Sequence, residues 1–300
     1  MVAFSGFDNF VYLSCFSSFA VACALLVFEK FTKKARRSFG TEFGQQNAEF
    51  RNFQWRYFAG YLPCLFADSL QAPYLYYLYH SYGFLESQIA VLYVTGFVTN
   101  VFVTIFAVYL VQRVERRLLC LGFVGLNSLS CFMKLSDSYT VLLLSRVLDG
   151  VASSLLTAPF QEWYVYEHAV RHDFPKEWIP STFRRVAVAT GILSVGAGFA
   201  AEFSESVFKI SAFPFLMAIP CLLIGGFIMN RFWDENRQEY AVVPKFWPQF
   251  RRGLKAIVQD PNVFLLSAVQ SLFESCIYMF VFLWTPLFLQ LKPVLSARPR

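Results

Sequence analysis

Eight long runs of mainly apolar residues, separated by short polar connections, dominate the sequence. A helix needs about 20 such residues to cross about 30 Å of hydrocarbon. The runs are near or above that length, so the pattern predicts eight membrane-spanning helices. They cover residues 3–28, 53–80, 87–112, 117–134, 139–168, 182–203, 211–232 and 262–290.

The composition agrees with a chain surrounded by lipid. Apolar residues make up 56% and charged residues 15%, and Phe occurs 36 times. Soluble domains carry roughly 45–50% apolar and about 25% charged residues. The composition therefore excludes a disordered chain and a secreted disulfide scaffold. The net charge of +6 lies in the connections, where it reports orientation, so we expect no nucleic-acid partner.

The positive charges predict the orientation, because Lys and Arg concentrate in cytoplasmic connections. If the runs alternate in direction, 20 of the 26 Lys and Arg residues fall on one side, which is therefore cytoplasmic. Asp8 precedes the first run and no Lys or Arg does, which favours a retained helix with its N-terminus outside over a cleaved signal peptide. We expect a multi-pass protein of the cell membrane, with an intracellular membrane as the alternative. The opposite side holds Lys134, Lys209, Lys292, Arg298 and Arg300.

Ionisable side chains inside the runs are functional candidates, because each is costly in hydrocarbon. Arg146 and Asp149 stand three residues apart on one helix, so they share a face and can pair. We expect Asp68, Gln71, Arg146 and Glu162 to face one interior cavity, with polar tips added by Tyr74, Tyr77, Gln161, Trp163 and Tyr164. The candidate substrate-binding residues are Asp68, Gln71, Tyr74, Arg146, Asp149, Glu162 and Glu274.

Two of these candidates each have a structural and a functional interpretation. Arg146 is either a charge clamp with Asp149 or Asp68, or a direct contact of the substrate. Glu274 is either an interhelical hydrogen-bonding group or a proton-coupling group.

The sequence lacks the usual signatures of catalysis and of cofactor binding. It has no C-x-x-C pair and no Cys/His cluster with the spacing of metal ligands. It has no Walker-type glycine loop and no Ser/His/Asp arrangement. We therefore predict no enzyme activity, no metal and no cofactor.

Two segments resemble motifs of the major facilitator superfamily. The segment LLLSRVLDGVASSLL, residues 142–156, resembles the superfamily's fourth-helix motif, in which an arginine precedes a glycine by four residues, here Arg146 and Gly150. The turn YLVQRVERR, residues 109–117, occupies the place of a conserved superfamily loop. Its arginines match that loop, whereas the leading glycine and aspartate are absent.

Longer segments look like the molybdate-anion transporter family of this superfamily. They are ADSLQAPYLYYLYHSYGFLESQIAVLYVTGF (67–97), EWYVYEHAVRHDFPKEWIPSTF (162–183) and SLFESCIYMFVFLWTP (271–286). The resemblance implies import of molybdate, or a similar oxyanion, by a fold of about twelve core helices in two six-helix halves. This chain ends just after the seventh core helix, so we expect a truncated isoform or an incomplete gene model.

The fold that follows is an all-α integral membrane protein: a six-helix N-terminal half with an extra leading helix and the first helix of the second half. The expected domains are an extra helix with a basic loop (1–52), the N-terminal half (53–232), a cytoplasmic linker (233–261), and the first helix of the second half with a tail (262–300).

Two alternatives to a molybdate transporter stay open. One is a transport-inactive truncated isoform with a structural or regulatory role, which we expect to associate with other membrane chains. The other is a transporter of the same superfamily for another small solute, such as a sugar, an organic anion or sulfate.

Overall fold

The computed structural model describes residues 47–208, 210–235 and 246–296, which form helices joined by short connections. The chain divides into two units, Met1–Arg51 and Asn52–Arg300, and the described part of the first unit is residues 47–51. The predicted helix 3–28 lies outside the described residues. Within the described residues there are nine α-helices: α1 (Ala48–Gln71), α2 (Leu75–Ser81), α3 (Glu86–Arg113), α4 (Arg116–Met133), α5 (Tyr139–Tyr166), α6 (Ile179–Phe208), α7 (Phe213–Phe232), α8 (Phe246–Gln259) and α9 (Pro261–Ser296).

The seven predicted runs within the described residues all form helix, which confirms the all-α prediction. Run 53–80 differs in one respect, because it is divided into α1 and α2 by a turn over residues 72–74. The division falls at Pro73. Proline disfavours helical backbone at the preceding residue, so α1 ends at Gln71 and the chain turns before α2.

Five of the described helices are long and apolar enough to cross a membrane. Helices α1 and α4 are long enough, since their 24 and 18 residues span about 36 and 27 Å, but their mean hydropathy is lower than that of these five helices. The count of eight crossings therefore stays a prediction. The five helical segments are Glu86–Arg113, Tyr139–Arg171, Lys176–Phe203, Phe213–Phe232 and Pro261–Leu283.

Helix α5 lies at the centre of the bundle, where it packs against α3 and α4, and α4 in turn packs against α7. Gly150 lets α5 approach the backbone of α3 directly. A Cβ atom at Gly150 would lie 2.7 Å from the Gly96 carbonyl oxygen and 2.9 Å from the Asn100 backbone nitrogen. Small residues at such positions are the usual way in which membrane helices pack closely.

Aromatic side chains close the end of the bundle that the charge pattern predicts to be cytoplasmic. Trp163 on α5 stacks on Trp233 with 3.9 Å between ring centroids, and Tyr57 on α1 lies 4.7 Å from Tyr164. The indole N–H of Trp233 donates to the Arg56 carbonyl oxygen at 3.1 Å. This packing ties α1, α5 and the end of α7 together, and polar residues gather further along the same helices.

Candidate functional site

A cavity of about 260 Å³ lies among α1, α3, α4, α5 and α9. Four charged side chains reach its walls, and amide and aromatic groups fill the spaces between them. The volume is below the roughly 300–1,000 Å³ of pockets for drug-sized ligands, so the cavity suits a small solute. The lining residues that the argument uses are Asp68, Gln71, Tyr93, Asn100, Asn127, Lys134, Arg146, Asp149 and Tyr278.

The carboxylate of Asp149 lies between two cations. Lys134 Nζ is 2.8 Å from Asp149 Oδ2 and 2.9 Å from its Oδ1. Arg146 Nη1 donates to Oδ2 at 2.6 Å, and the Ser130 hydroxyl donates to Oδ1. The side chains of Lys134, Arg146 and Asp149 are 2%, 11% and 12% exposed. We call these three residues the charge triad, and with all three ionised its net charge is +1.

A chain of polar contacts fixes the Lys134 end of the triad. The Lys134 ammonium also donates to Gln71 Oε1 at 2.9 Å, and Gln71 Nε2 donates to Asn127 Oδ1 at 3.0 Å. These contacts connect α1 with α4 at the cavity wall. Buried networks of this kind hold side chains in one arrangement when their members are hydrogen-bonded.

The guanidinium of Arg146 occupies space that a glycine leaves open. Its Nε donates to the Leu92 carbonyl oxygen at 3.3 Å, and its Cζ lies 5.6 Å from the centre of the Tyr93 ring. A Cβ atom at Gly96 would collide with Arg146 Nη2 and would lie 2.9 Å from Cζ. The position of Arg146 therefore depends on the absence of a side chain at residue 96.

Four of the predicted site residues meet at this cavity: Asp68, Gln71, Arg146 and Asp149. Tyr74 follows Gln71 by three residues, but its hydroxyl donates a hydrogen bond to Glu202 Oε2 at 2.7 Å. Glu274 is exposed on α9, where it accepts a hydrogen bond from Gln270 Nε2 at 2.8 Å. It stands one turn before Tyr278, whose side chain lines the cavity.

The expectation that Glu162 shares the cavity is wrong. Glu162 is exposed, and it is 13 residues beyond Asp149 on α5, which corresponds to about 20 Å along the helix axis. Trp163 and Tyr164, expected in the cavity wall, belong instead to the aromatic packing at the other end. Distance along one long helix separates these residues from the triad.

Lys134 is the functional candidate that the sequence analysis missed. It ends an apolar run and was assigned to an external connection, whereas the structure buries it. A polar stripe was visible in the sequence: Asn127, Ser130 and Lys134 are spaced i, i+3 and i+7, so they share one face of α4. Together with Asp149 on the next apolar run, this polar stripe predicts that the Lys134 side chain faces the interior of the bundle.

Comparison with known proteins identifies the family. The sequence profile of a family described as sugar transporters with twelve transmembrane helices matches residues 11–293. A protein of Xenopus laevis named molybdate-anion transporter is 44% identical over 241 residues, which cover 80% of this chain and 53% of that protein. A protein of Danio rerio with the same name is 40% identical over 299 residues, which cover 92% of this chain and 62% of that protein.

The helical membrane fold and the family match place the chain among the transporters of the major facilitator superfamily. Within that class, the chain belongs to the molybdate-anion transporter family. It spans between about half and three-fifths of the length of these relatives.

Proposed function

We propose that the chain provides one half of the substrate site of a transporter that moves molybdate across the cell membrane. The observation that carries this proposal is the charge triad at the cavity wall. Lys134 and Arg146 are two cations in a membrane bundle, where ionisable groups are costly and are found mainly at binding and transport sites. The names of the relatives support molybdate as the substrate.

The cavity offers donors that would replace the water around a tetrahedral oxyanion. Arg146 supplies a planar fork of N–H groups that fits two oxygen atoms at once, and Lys134 supplies a compact point charge. The amides of Gln71, Asn100 and Asn127 lie around them and add further polar groups to the cavity wall. A fixed set of donors lowers the cost of removing the anion from water.

Charge balance makes Asp68 the residue that opposes an anion. With Asp68 ionised, the four charged side chains of the cavity sum to zero, and with Asp68 neutral they sum to +1. A dianion therefore binds more favourably when Asp68 carries no charge. Asp149 also carries a negative charge, but it favours anion binding because it holds Lys134 and Arg146 in the positions where they face the cavity.

Alternating access would use the two-half arrangement of the superfamily, in which a central site is exposed to each side in turn. Residues 53–232 would form one half, and the helix within 262–300 would begin the other. Helix α9 already contributes Ile277, Tyr278 and Val281 to the cavity. That placement supports a site between the two halves.

Equilibrium dialysis of the purified chain in lipid nanodiscs, with molybdenum counted by mass spectrometry, tests the site directly. We expect Arg146→Gln to weaken molybdate binding and Asp68→Asn to strengthen it. A hydrogen bond to a charged group is worth about 1.5–3 kcal/mol, so the loss of the Arg146 charge should weaken binding by about 10- to 150-fold. Arg184→Gln, at an exposed position on α6, is the matched control and should leave binding unchanged.

Uptake measurements connect binding with transport. Cells expressing the chain are compared with empty-vector cells and with cells expressing the Xenopus laevis relative. If neither Arg146→Gln nor Asp68→Asn changes molybdate binding in the dialysis experiment, the proposed site is refuted.

A sugar is the second candidate substrate, because the matching family is described as sugar transporters and Tyr93, Phe97 and Tyr278 give the cavity aromatic walls. Glucose and sulfate are therefore included as competitors. A neutral sugar has no net charge to interact with Asp68, so it should bind equally well to the wild type and to Asp68→Asn. That result, together with no molybdate binding, would favour the sugar.

A further inference from the structure

Helix α8 separates apolar and basic residues onto two faces. At 100° per residue, Trp247, Phe250, Leu254 and Val258 fall within one sector of about 80°; Arg251 borders that sector, and Lys255 and Arg252 lie beyond it on the polar side. The helix contains three basic residues and no acidic residue. This combination of a strongly apolar face and a cationic face is typical of helices that lie in the plane of a membrane surface.

Both ends of α8 are attached to membrane-spanning helices. At its beginning, Phe246 stacks on Phe106 of α3 with 4.9 Å between ring centroids and meets the Tyr109 ring at 5.6 Å. Tyr109 is one turn before Arg113, the last residue of α3.

At its other end, α8 stops at Gln259, and α9 begins at Pro261 after a single residue. That residue, Asp260, accepts a hydrogen bond from the Asn262 backbone N–H at 2.9 Å and so caps the spanning helix. The predicted orientation puts both ends at the cytoplasmic boundary of the bilayer.

Much of the apolar face remains exposed in the part of the chain that the structure describes. Trp247, Leu254 and Val258 are 66%, 54% and 68% exposed. Between α8 and α3 there is an apolar groove of about 390 Å³, lined by Ile105, Tyr109 and the α8 side chains that face them. An apolar face and an apolar groove at the level of the bilayer surface are both suited to acyl chains.

We propose that α8 is an interfacial helix that binds anionic phospholipid of the cytoplasmic leaflet. Its apolar face inserts among the acyl chains, with Trp247 at the level of the headgroups, where tryptophan is enriched. Arg251, Arg252 and Lys255 contact lipid phosphates and carboxylates. Charge favours this occupant over a second copy of the chain, because two copies of α8 would bring like charges together.

The test uses the full chain in nanodiscs of phosphatidylcholine with increasing mole fractions of phosphatidylserine brominated on its acyl chains. Bromine quenches nearby indoles, and the quenching that disappears in Trp247→Phe reports Trp247 among the six tryptophans. Brominated phosphatidylcholine at the same mole fractions is the neutral comparison. We expect half-maximal quenching of Trp247 at a much lower fraction of the serine lipid than of the choline lipid.

Charge variants give the expected size of the effect. Each basic side chain near an anionic surface changes binding by roughly fivefold, so Arg252→Gln should shift the half-maximal fraction by about that factor. The triple variant R251Q/R252Q/K255Q should show no preference for the serine lipid. Salt at about 1 M, where the Debye length is about 3 Å, should reduce the preference in the wild type.

A matched control keeps the composition and destroys the two faces: Leu254→Lys combined with Lys255→Leu. We expect this exchange to reduce both the depth of Trp247 and the lipid preference. Wild-type behaviour in the exchanged variant would overturn the proposal. So would equal quenching by the two lipids, or no quenching of Trp247 by either. This test is independent of molybdate binding, so its failure leaves the proposed transport site unaffected.

Discussion

Replacing Asp149 by asparagine removes the anion between two buried cations and keeps the shape of the side chain. At an effective dielectric constant of about 20, a pair 2.8 Å apart gains about 6 kcal/mol, and a pair 2.6 Å apart gains slightly more. The cost of burying these charges and the repulsion between Lys134 and Arg146 offset most of that gain. Breaking such a buried pair costs about 3–5 kcal/mol, because a charge is left without compensation.

We therefore expect Asp149→Asn to lower the thermal unfolding midpoint of the purified chain clearly. Molybdate should then restore stability, because a dianion bound in the cavity balances the two cations that the neutral amide no longer compensates. A ligand at about 100 times its dissociation constant adds about 2.7 kcal/mol, which is close to the size of the loss. The stabilisation by molybdate should be larger in Asp149→Asn than in the wild type.

The assay is thermal unfolding in nanodiscs, followed by intrinsic fluorescence, with molybdate, sulfate and glucose added separately. Glucose should stabilise neither protein if the cavity selects an anion. The reasoning would be refuted by an Asp149→Asn variant that is as stable as the wild type. Equal stabilisation of both proteins by molybdate would also contradict it, because the anion would then bind away from the triad.

Other substitutions test the packing and the topology. Gly96→Ala should fold but lose ligand affinity, because only the flexible guanidinium of Arg146 must move to make room for the methyl group. Gly150→Ala should lower the unfolding midpoint, because its methyl group meets backbone atoms of α3. Ligand affinity and the unfolding midpoint, measured on both variants, distinguish the two effects. Trp233→Ala should cost about 3–5 kcal/mol of stability, visible as a lower midpoint with unchanged ligand affinity in the protein that still folds. Cysteines introduced at Ser38 and Ala241 should react with an impermeant maleimide only after the cells are permeabilised, and labelling of intact cells would contradict the predicted orientation.

The sequence predicted the helices well because long apolar runs have few alternatives in a membrane. The division of run 53–80 could also be anticipated, since Pro73 lies within it. The helix α8 was assigned to a linker, because a search for runs of about 20 apolar residues passes over a 14-residue helix whose apolar positions are spaced around charges. Its period, rather than its hydropathy, contains the information.

The site was predicted in part, for a reason of geometry. Residues close together in sequence on one face, such as Arg146 and Asp149, were paired correctly. The placement of Glu162 failed because helical rise separates residues that share a helix. Lys134 was missed because a cation at the end of a run is counted in the external connection whether its side chain faces water or the bundle interior. The choice depends on Asp149, a carboxylate on another helix.

Helix α9 meets the bundle at the cavity through the edges of aromatic rings. Tyr278 contacts Phe97 with 4.3 Å between centroids, and Phe282 contacts Tyr93 at 5.5 Å and Tyr76 at 6.3 Å, all close to perpendicular. Dispersion between rings has no single preferred donor or acceptor direction, and each atom pair contributes little. We therefore expect α9 to tilt by a small angle against α2 and α3 while these ring contacts are maintained. The charge triad on the other wall of the cavity would keep its geometry during such a movement.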